Sequence, residues 1–303
     1  MAAFLASCAS AERPRIALEY YEIGNAWLDM EKWDKAGAAY EKALSYDPAL
    51  AAASYNLARA LVEAGSYPRA LEVLDRLRAE DPDNVRLITL SAYALHKSGD
   101  DAAALAAYRR ASELNPRDAP TLRNLAVLLE RAERYEEARG ILRELYIVTP
   151  SDDAVLRRLA LLEARRVSDP ATFGGAGTPG EDAAVGAEEA LSLLSAFLSR
   201  KPGDREVLRV RAELRERGEL FALALEDWAS LVKEDPSDGE AWFRLARIRL
   251  VVAGDREAGL EALRKALDAE YKDSASLKAL LAALTEAERA EPAKLIEAAG
   301  SAE

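Results

Sequence analysis

Four prolines stand 34 residues apart, Pro48, Pro82, Pro116 and Pro150, and Pro202 and Pro236 repeat the interval after a gap of 52. A small residue precedes each of them by twelve, at Ala36, Ala70, Ala104, Ala138, Ala190 and Ala224. A second small series runs through Gly24, Ala58, Ala92, Ala126, Ala160, Ala212 and Ala246. Helices that cross closely need a small side chain at the crossing, and proline ends a helix because it lacks an N–H and clashes with the preceding turn. A helical pair repeated at this period cannot bury its apolar face alone. Stacked neighbours must bury it, so the chain is expected to be an all-α solenoid without strands.

The first unit reads Tyr20, Ile23, Gly24, Trp27, Ala36, Tyr40, Ala43, Pro48, and the second Leu57, Ala58, Leu61, Ala70, Leu74, Leu77, Pro82. The third gives Ala92, Leu95, Ala104, Tyr108, Ala111, Pro116, and the fourth Leu122, Leu125, Ala126, Leu129, Ala138, Leu142, Leu145, Pro150. Over residues 17–271 this pattern resembles the tetratricopeptide repeat (TPR) family. The resemblance implies a right-handed α-solenoid of about seven TPR helix pairs with a C-terminal capping helix. The repeats are expected near 17–50, 51–84, 85–118, 119–152, 153–204, 205–238 and 239–272, between an N-terminal segment 1–16 and a cap and tail 273–303.

The gap of 52 leaves 18 residues beyond one period, and the spacing from Ala160 to Ala190 is 30 where Gly24 to Ala36 gives twelve. The insertion therefore falls between the two helices of the fifth repeat, at 167–181. Residues 168–180 hold four glycines and two prolines, which reads as an exposed loop. The seventh repeat is irregular. Thirteen residues separate Ala246 from Gly259, and Tyr271 stands where the terminal proline belongs. Beyond it Leu277, Leu280, Leu281 and Leu284 recur at helical spacing, so a capping helix is expected over 274–288, capped by Asp273-Ser274, with Pro292 opening a short second one.

Half of the residues are apolar but only 7% are aromatic, which suits many helix crossings rather than one large core. The net charge of −12 disfavours non-specific binding to nucleic acid or an anionic membrane. With one histidine, His96, and one cysteine, Cys8, neither a His-rich metal site nor a Cys/His pair within the array is available. Gly65, Gly99 and Gly218 read as turn glycines, and the run 174–177 lacks the Lys-Ser/Thr of a phosphate loop. The chain is read as a non-enzyme without cofactor or metal. His96, late in a first helix beside Lys97, reads as a hydrogen-bonding surface residue.

In TPR proteins the first helix of each pair lines the concave side, and five of its positions usually face the groove. Carried over to repeats two to five, these are Ala52, Tyr55, Arg59, Val62, Glu63; Arg86, Thr89, Tyr93, His96, Lys97; Pro120, Arg123, Val127, Glu130, Arg131; and Ala154, Arg157, Leu161, Ala164, Arg165. Seven are Lys or Arg and two are Glu, a balance opposite to that of the whole chain. Two readings follow: a basic groove for an acidic segment, or arginines that pair with carboxylates of the next repeat. The family also includes modules that clamp a terminal carboxylate with five residues on three repeats. Asn25, Asn56 and Arg86 stand at three of those positions, while Tyr21 and Leu90 replace two cations, so the resemblance yields a partial clamp.

Leu5-Ala6-Ser7-Cys8 resembles the lipobox of bacterial lipoproteins, in which the cysteine is lipidated, although only seven residues precede Cys8 and none is basic. Cys8 is the lipidation candidate, and a cell-envelope and a cytoplasmic location both stay open. The function expected is a bacterial protein-interaction scaffold that binds a protein or peptide with an acidic or carboxylate-bearing segment, without nucleic acid, and touches a membrane only through a lipid on Cys8. The alternatives are a tethered periplasmic adaptor for a transporter or envelope assembly and, from another class, a small-ligand carrier or enzyme using a pocket in the solenoid.

Overall fold

Each proline of the 34-residue ruler sits in a short turn, and after all but Pro48, which is followed by Leu50, the residue two places on caps the next helix. Asn84, Asp118, Asp152, Asp204 and Asp238 all accept backbone N–H groups of the helix they open. Such a cap is worth about 1 kcal/mol, so Pro-x-Asp/Asn both stops one helix and starts the next. A computed structural model of the chain describes the backbone of residues 2–169 and 181–300 and the side chains of 12–169 and 185–300. Among the described residues there is no strand. The expected loop, including Phe173 and the glycines 174–177, falls largely outside the described residues, as does the side chain of Cys8.

The chain divides into two compact units, Met1–Thr149 and Pro150–Glu303. In the first, α1 (Ala2–Asp29), α3 (Ala51–Glu63), α5 (Val85–Ser98) and α7 (Ala119–Arg131) alternate with α2 (Trp33–Tyr46), α4 (Tyr67–Glu80), α6 (Asp101–Leu114) and α8 (Tyr135–Val148). Every helix packs on the next, and α1, α3, α5 and α7 also touch in that order, forming one layer of the stack. The second unit holds α9 (Asp153–Ser168), α10 (Glu181–Arg200), α11 (Arg205–Arg217), α12 (Phe221–Glu234), α13 (Gly239–Arg247), α14 (Arg256–Asp268), α15 (Ser274–Ala283) and α16 (Glu286–Gly300). There α9 pairs with α10, α11 with α12 and α13 with α14.

The alanines of both small series are fully buried. Four residues after the first series comes a second buried column, Tyr40, Leu74, Tyr108, Leu142, Leu194 and Trp228, each with no exposed surface. Pairing a small and a large residue one helical turn apart lets facing helices interdigitate at native packing density. Gly24 belongs to the same scheme: a Cβ there would come within 2.4 Å of the Tyr40 ring.

The turn inside each described pair closes on a left-handed residue. Glu31, Gly65, Gly99, Glu133, Glu219 and Gly254 have φ between 55° and 91°. Gly218, read as a turn glycine, does end α11 at the turn, in ordinary backbone at φ −85°, and its neighbour Glu219 takes the left-handed position. In five of these turns the following N–H bonds a carbonyl five residues back, as Ser66 does to Leu61 and Arg134 to Leu129. The last pair differs. α13 continues as a π-helical stretch, Ile248–Ala253, and Asp255 reaches six residues back to Arg249. The thirteenth residue between Ala246 and Gly259 is thus absorbed as a wider helical turn, which leaves both small residues buried at their crossing.

The expected single helix over 274–288 is two. Leu284 is extended, at φ −91° and ψ 147°, and Thr285 starts α16 with the glutamate half of a capping box: its backbone N–H and its hydroxyl both donate to the Glu288 carboxylate, at 3.0 and 2.6 Å. Pro292 lies inside α16 rather than at its start. It cannot donate to the Glu288 carbonyl, and Arg256 of α14 donates there instead at 3.3 Å. α16 packs on α14, while Leu277, Leu280 and Leu284 are buried beside it.

Candidate functional site

The repeat register pairs a residue in the middle of one first helix with the opening turn of the next. In the second unit this pair is an ion-paired staple. Arg157 donates to Asp204 at 2.8 Å and also holds Glu206, and Arg209 holds Asp238 and, at 3.0 Å, Glu240. Burial pushes Asp204 up, but the bonds from Arg157 and the Val207 N–H outweigh it and hold the carboxyl below its usual range. The hydrogen bond that Arg157 donates to Asp204 correspondingly raises the pKa of Arg157. Of the groove cations expected from the sequence, Arg157 is therefore consumed in joining repeats, while Arg165 lies exposed near the end of α9.

In the first unit the same register position carries Tyr55 instead of arginine and Arg86 instead of glutamate. The Arg86 guanidinium lies over the Tyr55 ring, 4.9 Å from its centroid. Two turns beyond Arg86 on α5, Tyr93 has Lys97 over its ring at 5.4 Å. Arg59 is exposed on α3. Among the described residues, Arg59, Arg86 and Lys97 make no ion pair. Tyr55, Asn56 and Arg86 line a cleft of about 390 Å³ with Tyr21, Ala52 and Glu80. Val62 and Ala164, placed in the groove by the family pattern, are buried at 3% and 1% and offer a ligand nothing.

The asparagines of the partial clamp are joined to each other. Asn56 Nδ2 donates to Asn25 Oδ1 at 3.0 Å and reaches the Tyr21 hydroxyl at 3.5 Å, while the Tyr40 hydroxyl donates to the same Asn25 oxygen at 2.8 Å. Burial pushes Tyr40 up to about 12, so it remains a donor at all ordinary pH values. Arg86 is the member of the trio that retains unspent donors toward the cleft. His96 bonds Asp101 through Nδ1 at 2.8 Å, and Arg131 reaches the other oxygen of Asp101 at 3.5 Å. Arg123 is exposed on α7.

Sequence reasoning missed the charges inside the second unit. Asp227 is 2% exposed and accepts from Arg211 at 3.0 and 2.6 Å and from Arg215 at 2.7 Å. Glu216 accepts from the Trp228 indole N–H at 2.6 Å and pairs with Arg247. A signal was available: both carboxylates fall on inward positions of the repeat, where the other repeats are mostly apolar. A second cleft of about 280 Å³ is lined by Glu213, Glu216, Arg217, Arg244 and Arg247. Glu213 makes no hydrogen bond or ion pair with another described residue. Desolvation holds it above the usual carboxylate range, against the pull of Arg244, Arg209 and Arg217 and with the push of Glu240.

Among the described residues no group of three His, Cys, Asp or Glu side chains could hold a metal ion, and no helix is long and apolar enough to cross a membrane. Two models of the tetratricopeptide repeat match the sequence, over residues 28–92 and 89–154. No curated protein sequence matches it. Among solved structures, a tetratricopeptide repeat protein from Parabacteroides merdae ATCC 43184 aligns at a TM-score of 0.51 and 18% identity, covering 89% of this chain and 98% of that one. YrrB, described as a TPR protein with an unusual peptide-binding site, aligns at 0.53 and 19%, covering 69% of this chain and 98% of that one. At such identities the likeness is one of fold. Residues 28–154 match models of the tetratricopeptide repeat, and the capped helix pairs and buried small-residue crossings of both units agree with that repeat.

Proposed function

We propose that the chain is a non-catalytic protein-interaction scaffold, and that the face of α3 and α5 takes an acidic or carboxylate-bearing segment of a protein partner. One observation carries this reading. Where other repeats close an arginine–carboxylate staple, the first unit has Tyr55 under Arg86, and Arg86, Arg59 and Lys97 keep their charge without a carboxylate. In a chain of net charge −12, a local cationic surface attracts acidic segments that the rest repels. Stacking on Tyr55 holds the guanidinium in place before binding, so less side-chain entropy is lost, and its paired N–H groups match a carboxylate. Tyr55 and Tyr93 add contact area with few rotors to freeze. Arg123 and Arg131 on α7 continue the surface.

The test uses a partner captured from the native source and the full chain, wild type and an Arg86→Glu, Arg123→Glu double variant that keeps its helical circular dichroism. Affinity should fall by well over tenfold, about 1.4 kcal/mol per decade. Unchanged affinity would place the partner elsewhere and overturn the reading. Support for a tethered form comes from the Leu5-Ala6-Ser7-Cys8 run alone. Radiolabelled palmitate should then enter the wild-type protein in its native cell and not the Cys8→Ser variant.

A further inference from the structure

The charged cleft of the second unit has capacity that its own residues leave unused. Glu216 forms its floor and is spent: one carboxylate oxygen accepts from Trp228 at 2.6 Å and the other pairs with Arg247. Arg244 stands opposite on α13, 3.3 Å from Glu240 and 3.8 Å from Glu216. At the mouth, Glu213 and Arg217 lie one turn apart on α11, in the order and spacing that favours a helical ion pair. They do not pair. Glu213 accepts from no described residue, and the Arg217 side chain donates once, to the Ser168 carbonyl at 3.4 Å, out of five N–H groups.

An open carboxylate and an open guanidinium one helical turn apart select for a ligand that carries both charges close together. A plain anion meets the field of Glu213, and a plain cation meets three arginines. A neutral molecule leaves both groups desolvated without compensation. The volume, about 280 Å³, is just below the usual range for drug-sized ligands, which suits one small molecule rather than a large cofactor. We propose that this cleft binds a small zwitterion of the α-amino-acid class, its ammonium on Glu213 and its carboxylate on Arg217 and Arg244. The site lies within the second unit and does not rest on the reading of the first.

The experiment is saturation-transfer NMR followed by calorimetric titration of the full chain with the twenty L-amino acids. The tightest binder is then compared with its amide, which lacks the carboxylate, and its N-acetyl form, which lacks the ammonium. Saturable binding to one site is expected, with each capped form at least tenfold weaker. Glu213→Gln should weaken the parent amino acid at least tenfold and leave the N-acetyl form nearly unchanged; Arg217→Gln should do the reverse, sparing the amide. Should either variant lose its helical signal, the capped ligands on wild-type protein still decide. The proposal is overturned by no saturable binding, by capped forms that bind as well as the parent, or by indifference to both substitutions. A doubly blocked Lys-Glu dipeptide that binds better than every free amino acid would also overturn it, because the occupant would then be a segment of a partner.

Discussion

A Cβ placed on Gly259 would stand 2.6 Å from Leu250 Cγ and 3.2 Å from its backbone nitrogen, and Leu250 belongs to the π-helical stretch of the last repeat. Six other repeats hold alanine at this crossing. The wider turn brings backbone closer, and only glycine clears it. Gly259→Ala should therefore cost about 1–3 kcal/mol through overpacking. In a background lacking Val251, which returns the helix to the regular repeat length, the same substitution should cost much less. Denaturant unfolding of the four proteins closes the cycle, and equal costs in both backgrounds would break the link between insertion and glycine.

This pair also shows how far the sequence could be read. The 34-residue ruler located the crossings, because proline, small residues and their spacing are local facts. The one-residue irregularity was visible as a count, but its form was not, since a bulge, a longer turn and a π-helical stretch give the same count. At the C-terminus the spacing of leucines suggested one helix, while Thr285-x-x-Glu288 carried a start signal that splits it in two. The candidate surface was half legible. Register placed Arg86 and Arg157 on equivalent faces, but which one is occupied depends on the residue offered by the neighbouring repeat, Tyr55 to the first and Asp204 with Glu206 to the second.

Glu133 and Glu219 occupy the left-handed position that Gly65 and Gly99 fill elsewhere, at φ 57° and 58°. A side chain there costs roughly 1–2 kcal/mol, part of which glycine returns as chain entropy. Glu133→Gly should raise stability by about 0.5–1 kcal/mol, and Gly99→Glu should lower it by a similar amount. Thermal unfolding followed by circular dichroism decides; a loss of stability in Glu133→Gly would mean that the carboxylate has an energetic role at that turn.

Glu213 gives the second unit a pH dependence of unusual sign for a carboxylate. Its folded-state pKa is raised, so the folded state holds more protons than the unfolded one between the unfolded value and the raised value. Stability from this group therefore falls as pH rises through that window and stays low above it. Glu213→Gln should be the more stable protein at neutral pH, with the advantage shrinking as pH is lowered toward the ordinary carboxylate range. Melting temperatures across pH 4–8 for the two proteins test this. A wild type that outlasts the variant at neutral pH would show that the carboxylate is stabilised by its arginines after all.

Asp227 sits between Arg211 and Arg215 with its side chain 3% exposed, and the arginine side chains are themselves only 15% and 12% exposed. Removing one member of such a group leaves the others buried and uncompensated, which typically costs about 3–5 kcal/mol. Asp227→Ala should reach that range in denaturant unfolding, whereas Arg110→Ala, which breaks exposed contacts to Asp83 and Glu113 at 3.0 and 3.4 Å, should cost little. The two reasons a buried cluster can matter are separable. If the cost of Asp227→Ala is that of stranded charge, replacing the trio together, Arg211→Met, Asp227→Leu and Arg215→Met, should recover most of it, because the desolvation penalty disappears along with the attraction. If the trio is instead required to set how α11 meets α12, the triple variant should stay destabilised and lose the Trp228 environment, read as a red shift of its emission in a variant whose other tryptophans are replaced by phenylalanine.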